Sequence, residues 1–208
     1  MIKIKDPVSG FSHLLGAILS IIGTYFLLTN SKTIEETVCF LIFGISSFLL
    51  YSSSTNYHLF GKPASEIGYL RKIDHASIYF LIAGTFTPFC VLIIENPLGL
   101  IILITTWVLA IIGASAVFIN SFWKHFPRWA STGLYLLMGW VSVFLMYPLR
   151  VYPLILSLLL LGGLFYTIGA VIYAIKKPNL FKGFGFHELF HIFVLLGTIT
   201  HFFAIYLI

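Results

Sequence analysis

Seven apolar runs, each close to the length of a membrane crossing, follow one another along the chain with only short polar breaks between them. A helix needs about 20 mainly apolar residues to cross about 30 Å of hydrocarbon. Because lipid offers no hydrogen-bond partners, such runs satisfy their backbone internally as helices. The runs lie at about 11–29, 36–58, 73–94, 98–119, 129–147, 153–175 and 184–207. The breaks carry turn residues, among them Asn30-Ser31-Lys32, Gly61-Lys62-Pro63, Glu95-Asn96-Pro97 and Lys176-Lys177-Pro178. The expected fold is all-α and integral to a membrane: a seven-transmembrane helix bundle forming a single domain over residues 1–208. Only 9% of the residues are charged, against about 25% in a soluble domain, so the chain lacks the polar surface to cover a globule in water.

The charges that remain are unevenly placed. Lys3, Lys5, Lys62, Arg71, Lys72, Lys124, Arg128, Lys176, Lys177 and Lys182 fall on the N-terminal side of the spans, and only Lys32 and Arg150 fall on the other. The positive-inside bias places the N-terminus in the cytoplasm and, with an odd number of spans, the C-terminus outside. That orientation is opposite to that of G-protein-coupled receptors. The net charge of +5 is therefore a matter of topology, and nucleic acid is not an expected partner. The first run is too long for the 7–15-residue core of a signal peptide and no small-residue cleavage site follows it, so it is read as a span. Cys39 and Cys90 both lie within apolar runs and are read as small packing residues, not a disulfide.

Ionisable residues inside spans are costly, and they are the first places to look for function. His58 lies 22 residues beyond Glu36, roughly 33 Å along the second helix, near its cytoplasmic end. Asp74 begins the third span, and His187 and His191 occupy the first turns of the seventh. Three helices thus bring imidazoles and a carboxylate to one leaflet. The i, i+4 spacing of His187 and His191 puts both rings on one helix face, about 6 Å apart. With His58 they make the three-histidine set of a catalytic zinc, the fourth position open to water. Zinc suits imidazole and needs no redox partner; iron and copper are the alternatives. Asp74 would orient that water or take its proton. Ser54, one turn before His58, can reach the same water or a substrate carbonyl.

Other readings attach to the neighbours of this group. His187-Glu188-Leu189-Phe190-His191 matches the H-E-x-x-H pattern of zinc metalloproteases, with Glu188 as base, or Glu188 is a first-turn acid favoured by the helix dipole. Ser52, Ser53 and Thr55 are expected to bond back to their own helix. His13 is close enough to support the site from behind. His75 is expected to point about 100° away from Asp74 and to serve packing, and His201 to lie roughly 15 Å deeper than His191. Pro88 would bend the third span and help open a cavity.

Taken in order, Ser54-x-x-x-His58, Asp74-His75-Ala76-Ser77-Ile78 with Gly84-Thr85-Phe86-Thr87-Pro88, and His187-Glu188-Leu189-Phe190-His191 resemble the hemolysin III family. That family is grouped with the progestin and adiponectin receptors (PAQR) and, more widely, with alkaline ceramidases. Ser12-His13 fits the same pattern, the resemblance covers nearly the whole chain, and the short N-terminus resembles the bacterial branch. The resemblance implies a zinc held by His58, His187 and His191, reached through water by Asp74, with Ser54 beside it. Some members carry Gln at the position of Glu188, which argues against an obligatory base there.

These observations together lead us to expect a zinc-dependent hydrolase of a lipid-like amide or ester, or a part in membrane lipid homeostasis, in a bacterial cytoplasmic membrane. One alternative is a non-enzymatic sensor or receptor with zinc as a structural staple. The other is pore formation and cytolysis, which a chain of seven insoluble spans is poorly suited to perform from water.

Overall fold

The computed structural model describes residues 6–60, 68–94, 96–119, 125 and 127–208. Of the basic residues read above, Lys3, Lys5, Lys62 and Lys124 lie outside these, as do Glu95 and the Gly61-Lys62-Pro63 break. Seven helical stretches are long and apolar enough to span a bilayer. They are α1 (Pro7–Asn30), α2 (Ile34–Phe60), α3 (Tyr69–Pro88), α4 (Pro97–Phe118), α5 (Arg128–Trp140), α6 (Pro153–Ile175) and α7 (Phe186–Tyr206). A 3₁₀ turn (Val141–Leu145) and a short helix (Met146–Leu149) carry α5 onward, giving a span of Trp129–Leu149. No strand occurs among the described residues.

Local chemistry sets the helix ends. Pro7, Pro97 and Pro153 each stand in the first turn of their helix, where a missing N–H costs nothing. Asn96 caps α4 by accepting from the Leu98 N–H at 2.9 Å. Thr33 accepts from the Glu36 N–H, and the Glu36 carboxylate accepts from the Lys32 N–H, so two otherwise orphaned donors are satisfied at the start of α2. Lys176 ends α6 in the left-handed conformation, at φ 56°.

Pro88 removes a donor from α3, and the helix widens directly after it into a π-turn over Phe89–Ile93. The Ile94 N–H then reaches back five residues to the Phe89 carbonyl. In the packing, α1 lies along α2, α2 along α3, α3 along α4 and α6 along α7, while α7 also meets α1. The α5 span is the least buried of the seven. Its outward face, with Leu137 and Tyr147 about 70% exposed, suits lipid. A cavity of about 710 Å³ opens in the bundle, with α3, α5, α6 and α7 all contributing to its wall.

Candidate metal centre

The site forms where the end of α2 meets the beginnings of α1, α3 and α7. His58 stands in the last turn of α2, and His187 and His191 stand in the first turns of α7. His58 and His191 are buried. The Nε2 atoms of His58 and His187 are 3.4 Å apart, and those of His187 and His191 are 3.2 Å apart. All three residues offer ligand atoms within 4.8 Å of one another.

Those separations are a test of what belongs between the rings. Ligand nitrogens about 2.0–2.1 Å from a tetrahedral ion stand about 3.3 Å from each other, which is the spacing observed. Three imidazoles converging on one point cannot satisfy one another by hydrogen bonds, since each ring has at most one lone pair and one donor when neutral. The tautomer of His58 is set from behind. Its Nδ1–H donates to Oδ2 of Asp6 at 3.1 Å, leaving the Nε2 lone pair for the centre. A carboxylate behind a ligating imidazole is the usual device for fixing ring and tautomer. The three histidines can therefore hold a metal ion.

Around them the expected residues fall into place unequally. Ser54 and Asp74 are buried, and both line the cavity together with His187 and His191. The Asp74 carboxylate is turned toward His75, Oδ2 to Nδ1 3.4 Å. His75 therefore differs from its expected packing role: it too lines the cavity, against Asp74. The Asp74 backbone carbonyl accepts from Ser77, whose hydroxyl also meets Ser53 at 2.9 Å, tying α3 to α2. Ser52, Ser53 and Thr55 do bond back to carbonyls of their own helix. His13 stacks on His191 with ring centroids 3.8 Å apart, close behind the cluster.

The Glu188 carboxylate accepts the Gly185 N–H at 2.8 Å and the Ser9 hydroxyl at 3.2 Å. It caps α7 and ties it to α1, so the first-turn reading of Glu188 describes its position.

Asp6 is the participant that sequence reading missed. The first span was expected from about residue 11, whereas α1 starts at Pro7 with Asp6 at its N-cap. The Asp6-Pro7 pair was the available signal. The Asp6 N–H also donates to the His58 carbonyl at 3.0 Å, so α1 and the end of α2 are joined twice.

The profile of the family described as "Haemolysin-III related" matches residues 1–202. The chain belongs to the hemolysin III family. Among hemolysin III relatives, "Hemolysin-3" of Bacillus cereus is 36% identical over 208 residues, covering 97% of this chain and 90% of that one. The "Hemolysin-3 homolog" of Bacillus subtilis (strain 168) is 38% identical over 214 residues, covering 99% and 95%. The adiponectin receptor protein of Drosophila melanogaster is more distant, at 26% identity over 222 residues, 94% of this chain and 48% of that receptor. With its seven spans and these bacterial relatives, this hemolysin III chain is a multi-pass integral protein of the bacterial plasma membrane.

Proposed function

We propose that the chain is a zinc-dependent hydrolase acting on the amide or ester bond of a membrane lipid. One observation carries the reading: His187 and His191 of the three-imidazole cluster form part of the wall of a largely apolar cavity that Asp74 and Ser54 also line. A polar reacting group can lie at the cluster while its hydrocarbon chain occupies the remainder. Zinc, when bound, supplies a Lewis acid that polarises a carbonyl and lowers the pKa of water toward about 7.

His58, His187 and His191 hold the ion, and Asp6 keeps His58 in register. The Asp74 carboxylate accepts a proton at Oδ and returns it to the leaving amine or alcohol, with His75 at its other side fixing its orientation. The Ser54 hydroxyl donates to the oxygen on which negative charge develops. The apolar wall excludes bulk water and so strengthens each of these interactions.

The test is turnover of a defined lipid amide such as ceramide by zinc-loaded protein in detergent. Turnover is expected, and Asp74→Asn should lower it about 10²- to 10⁴-fold with zinc content unchanged. A wild type that holds zinc yet cleaves neither amide nor ester lipids would leave the second reading. In that reading zinc is a structural staple in a sensor, favoured by the way the cluster joins α2 to α7 while Asp6 and Glu188 bind α1 to both. Asp74→Asn would then leave function intact, while His58→Ala would lower thermal stability.

A further inference from the structure

Two cations stand side by side at the start of α3, and the fold treats them differently. Lys72 is buried, and its ammonium donates to the Phe118 carbonyl at the end of α4, at 3.5 Å. A lysine there serves the last carbonyls of a helix and suits its dipole. Arg71 is half-buried and faces elsewhere. The α3 residues that line the cavity include Arg71, Asp74, Ile78, Ile82, Thr85 and Phe89. Their steps of three and four trace one face of the helix. Arg71 thus continues the cavity wall three residues before Asp74, about 4.5 Å nearer the start of the helix.

The fold supplies no anion for this guanidinium. The Asp74 carboxylate is turned to His75, that of Asp6 to His58, and that of Glu188 to Ser9 and the Gly185 N–H. Among the described residues, Arg71 makes no ion pair or hydrogen bond. A cation within a membrane protein's cavity is costly unless something pairs with it, and it marks a place where substrates bind.

A second donor stands at the same level. Tyr135 on α5 donates to the His75 carbonyl at 3.1 Å, which ties the register of α5 to that of α3. Successive spans alternate in direction, so these two helices begin at the same end of the bundle. One turn back from His75 and Tyr135 are Arg71 and Ser131, and both line the cavity. Ser131 is only 7% exposed. Its hydroxyl has no hydrogen-bond partner among the described residues, yet its oxygen keeps accessible surface.

We propose that Arg71, with Ser131 at its level, binds a phosphate carried by the lipid, about one helical turn from the bond held at the histidine cluster. The fork of a guanidinium matches two oxygens of a phosphate, and the Ser131 hydroxyl donates to a third. The site therefore selects phosphate-bearing lipids over neutral ones, with the acyl chain lying along Ile78, Ile82 and Phe89. Arg71 is a specificity residue and takes no part in breaking the bond. This assignment rests on the lipid reading of the cavity given above, and its test does not need turnover.

The experiment is equilibrium binding of 1-oleoylglycerol and of its 3-phosphate to detergent-purified, zinc-loaded protein. The two lipids differ only in the phosphate. Wild type is expected to bind the phosphate form about 10- to 100-fold more tightly. Arg71→Gln should remove most of that preference, with zinc content unchanged and affinity for 1-oleoylglycerol within about twofold. Arg71→Lys keeps the charge without the fork. It should retain part of the preference, and it gives a second reading in case Arg71→Gln does not fold. Ser131→Ala should weaken the phosphate form about 2- to 10-fold. Lys177→Gln removes an exposed cation beyond the end of α6 and should leave the preference as it is. Inorganic phosphate, with no chain to fill the cavity, should compete only far above the concentration of the lipid phosphate.

Equal affinities in wild type would overturn the phosphate site alone. So would a preference that survives Arg71→Gln or is undiminished in Arg71→Lys, because the phosphate would then lie on the metal. A preference lost equally in Lys177→Gln would reduce it to diffuse surface charge. Inorganic phosphate that competes as well as the lipid phosphate would assign Arg71 to a free anion instead. Failure of either lipid to bind at all would overturn the lipid reading as well. A phosphate preference in protein that cleaves no lipid would sustain the site and count against the hydrolase.

Discussion

His191 and His201 belong to one helix, are both buried and both look into one cavity, yet they keep different company. His191 faces His187 and, within ligand distance, His58, and its ring stacks on that of His13. His201 faces a backbone carbonyl on α6 and the edge of Tyr166. Burial alone therefore does not say what a histidine does in a membrane. Where several rings converge, their lone pairs compete and only a cation satisfies them together. Where one carbonyl takes the N–H, a neutral ring remains with a single acceptor.

Substitutions sharpen the contrast in order of size. His58→Ala should reduce metal affinity by more than the roughly 100-fold that marks loss of a supporting partner, whereas His201→Leu should leave metal content at the wild-type level. Competition with a chelator of known affinity reads both. Next, Asp6→Asn replaces the carboxylate behind His58 and should weaken metal binding about 10- to 100-fold in the same titration. An unchanged affinity would mean that His58 is oriented by its helix alone. Smallest is Gly162→Ala, which forces a methyl group against the His201 ring. It should cost about 1–3 kcal/mol of stability, seen as earlier thermal unfolding in detergent, without loss of metal. Loss of metal in that variant would mean that the two ends of α7 are not independent.

The bundle was legible because lipid leaves so few options: long apolar runs punctuated by Pro, Gly and Lys have to be spans. The core of the site was legible for a related reason. Helical rise fixes depth, so His58, Asp74 and the His187/His191 pair could be brought to one level by counting residues. What counting along helices does not carry is sideways placement. Neighbouring positions on a helix such as Asp74 and His75 diverge by about 100°, yet both line the cavity and their side chains pair at 3.4 Å.

Asp6 was invisible for another reason. Hydropathy marks where a span enters lipid, whereas the helix starts earlier, at a capping position that only the Asp6-Pro7 pair announces. His201 was placed at the right distance from His191, and its separation from the cluster holds. That one cavity reaches both residues depends on the spacing of α3, α5 and α6, which no single run of residues encodes.

The central claim is that the converging imidazoles of α2 and α7 form a metal centre. Elemental mass spectrometry of detergent-purified protein, prepared without chelators, tests it most directly, with wild type measured beside His191→Ala. The account predicts about one zinc per chain in wild type and none retained in the variant. A wild type free of zinc and of any other transition metal would contradict it, and the hydrolase reading would fall with it.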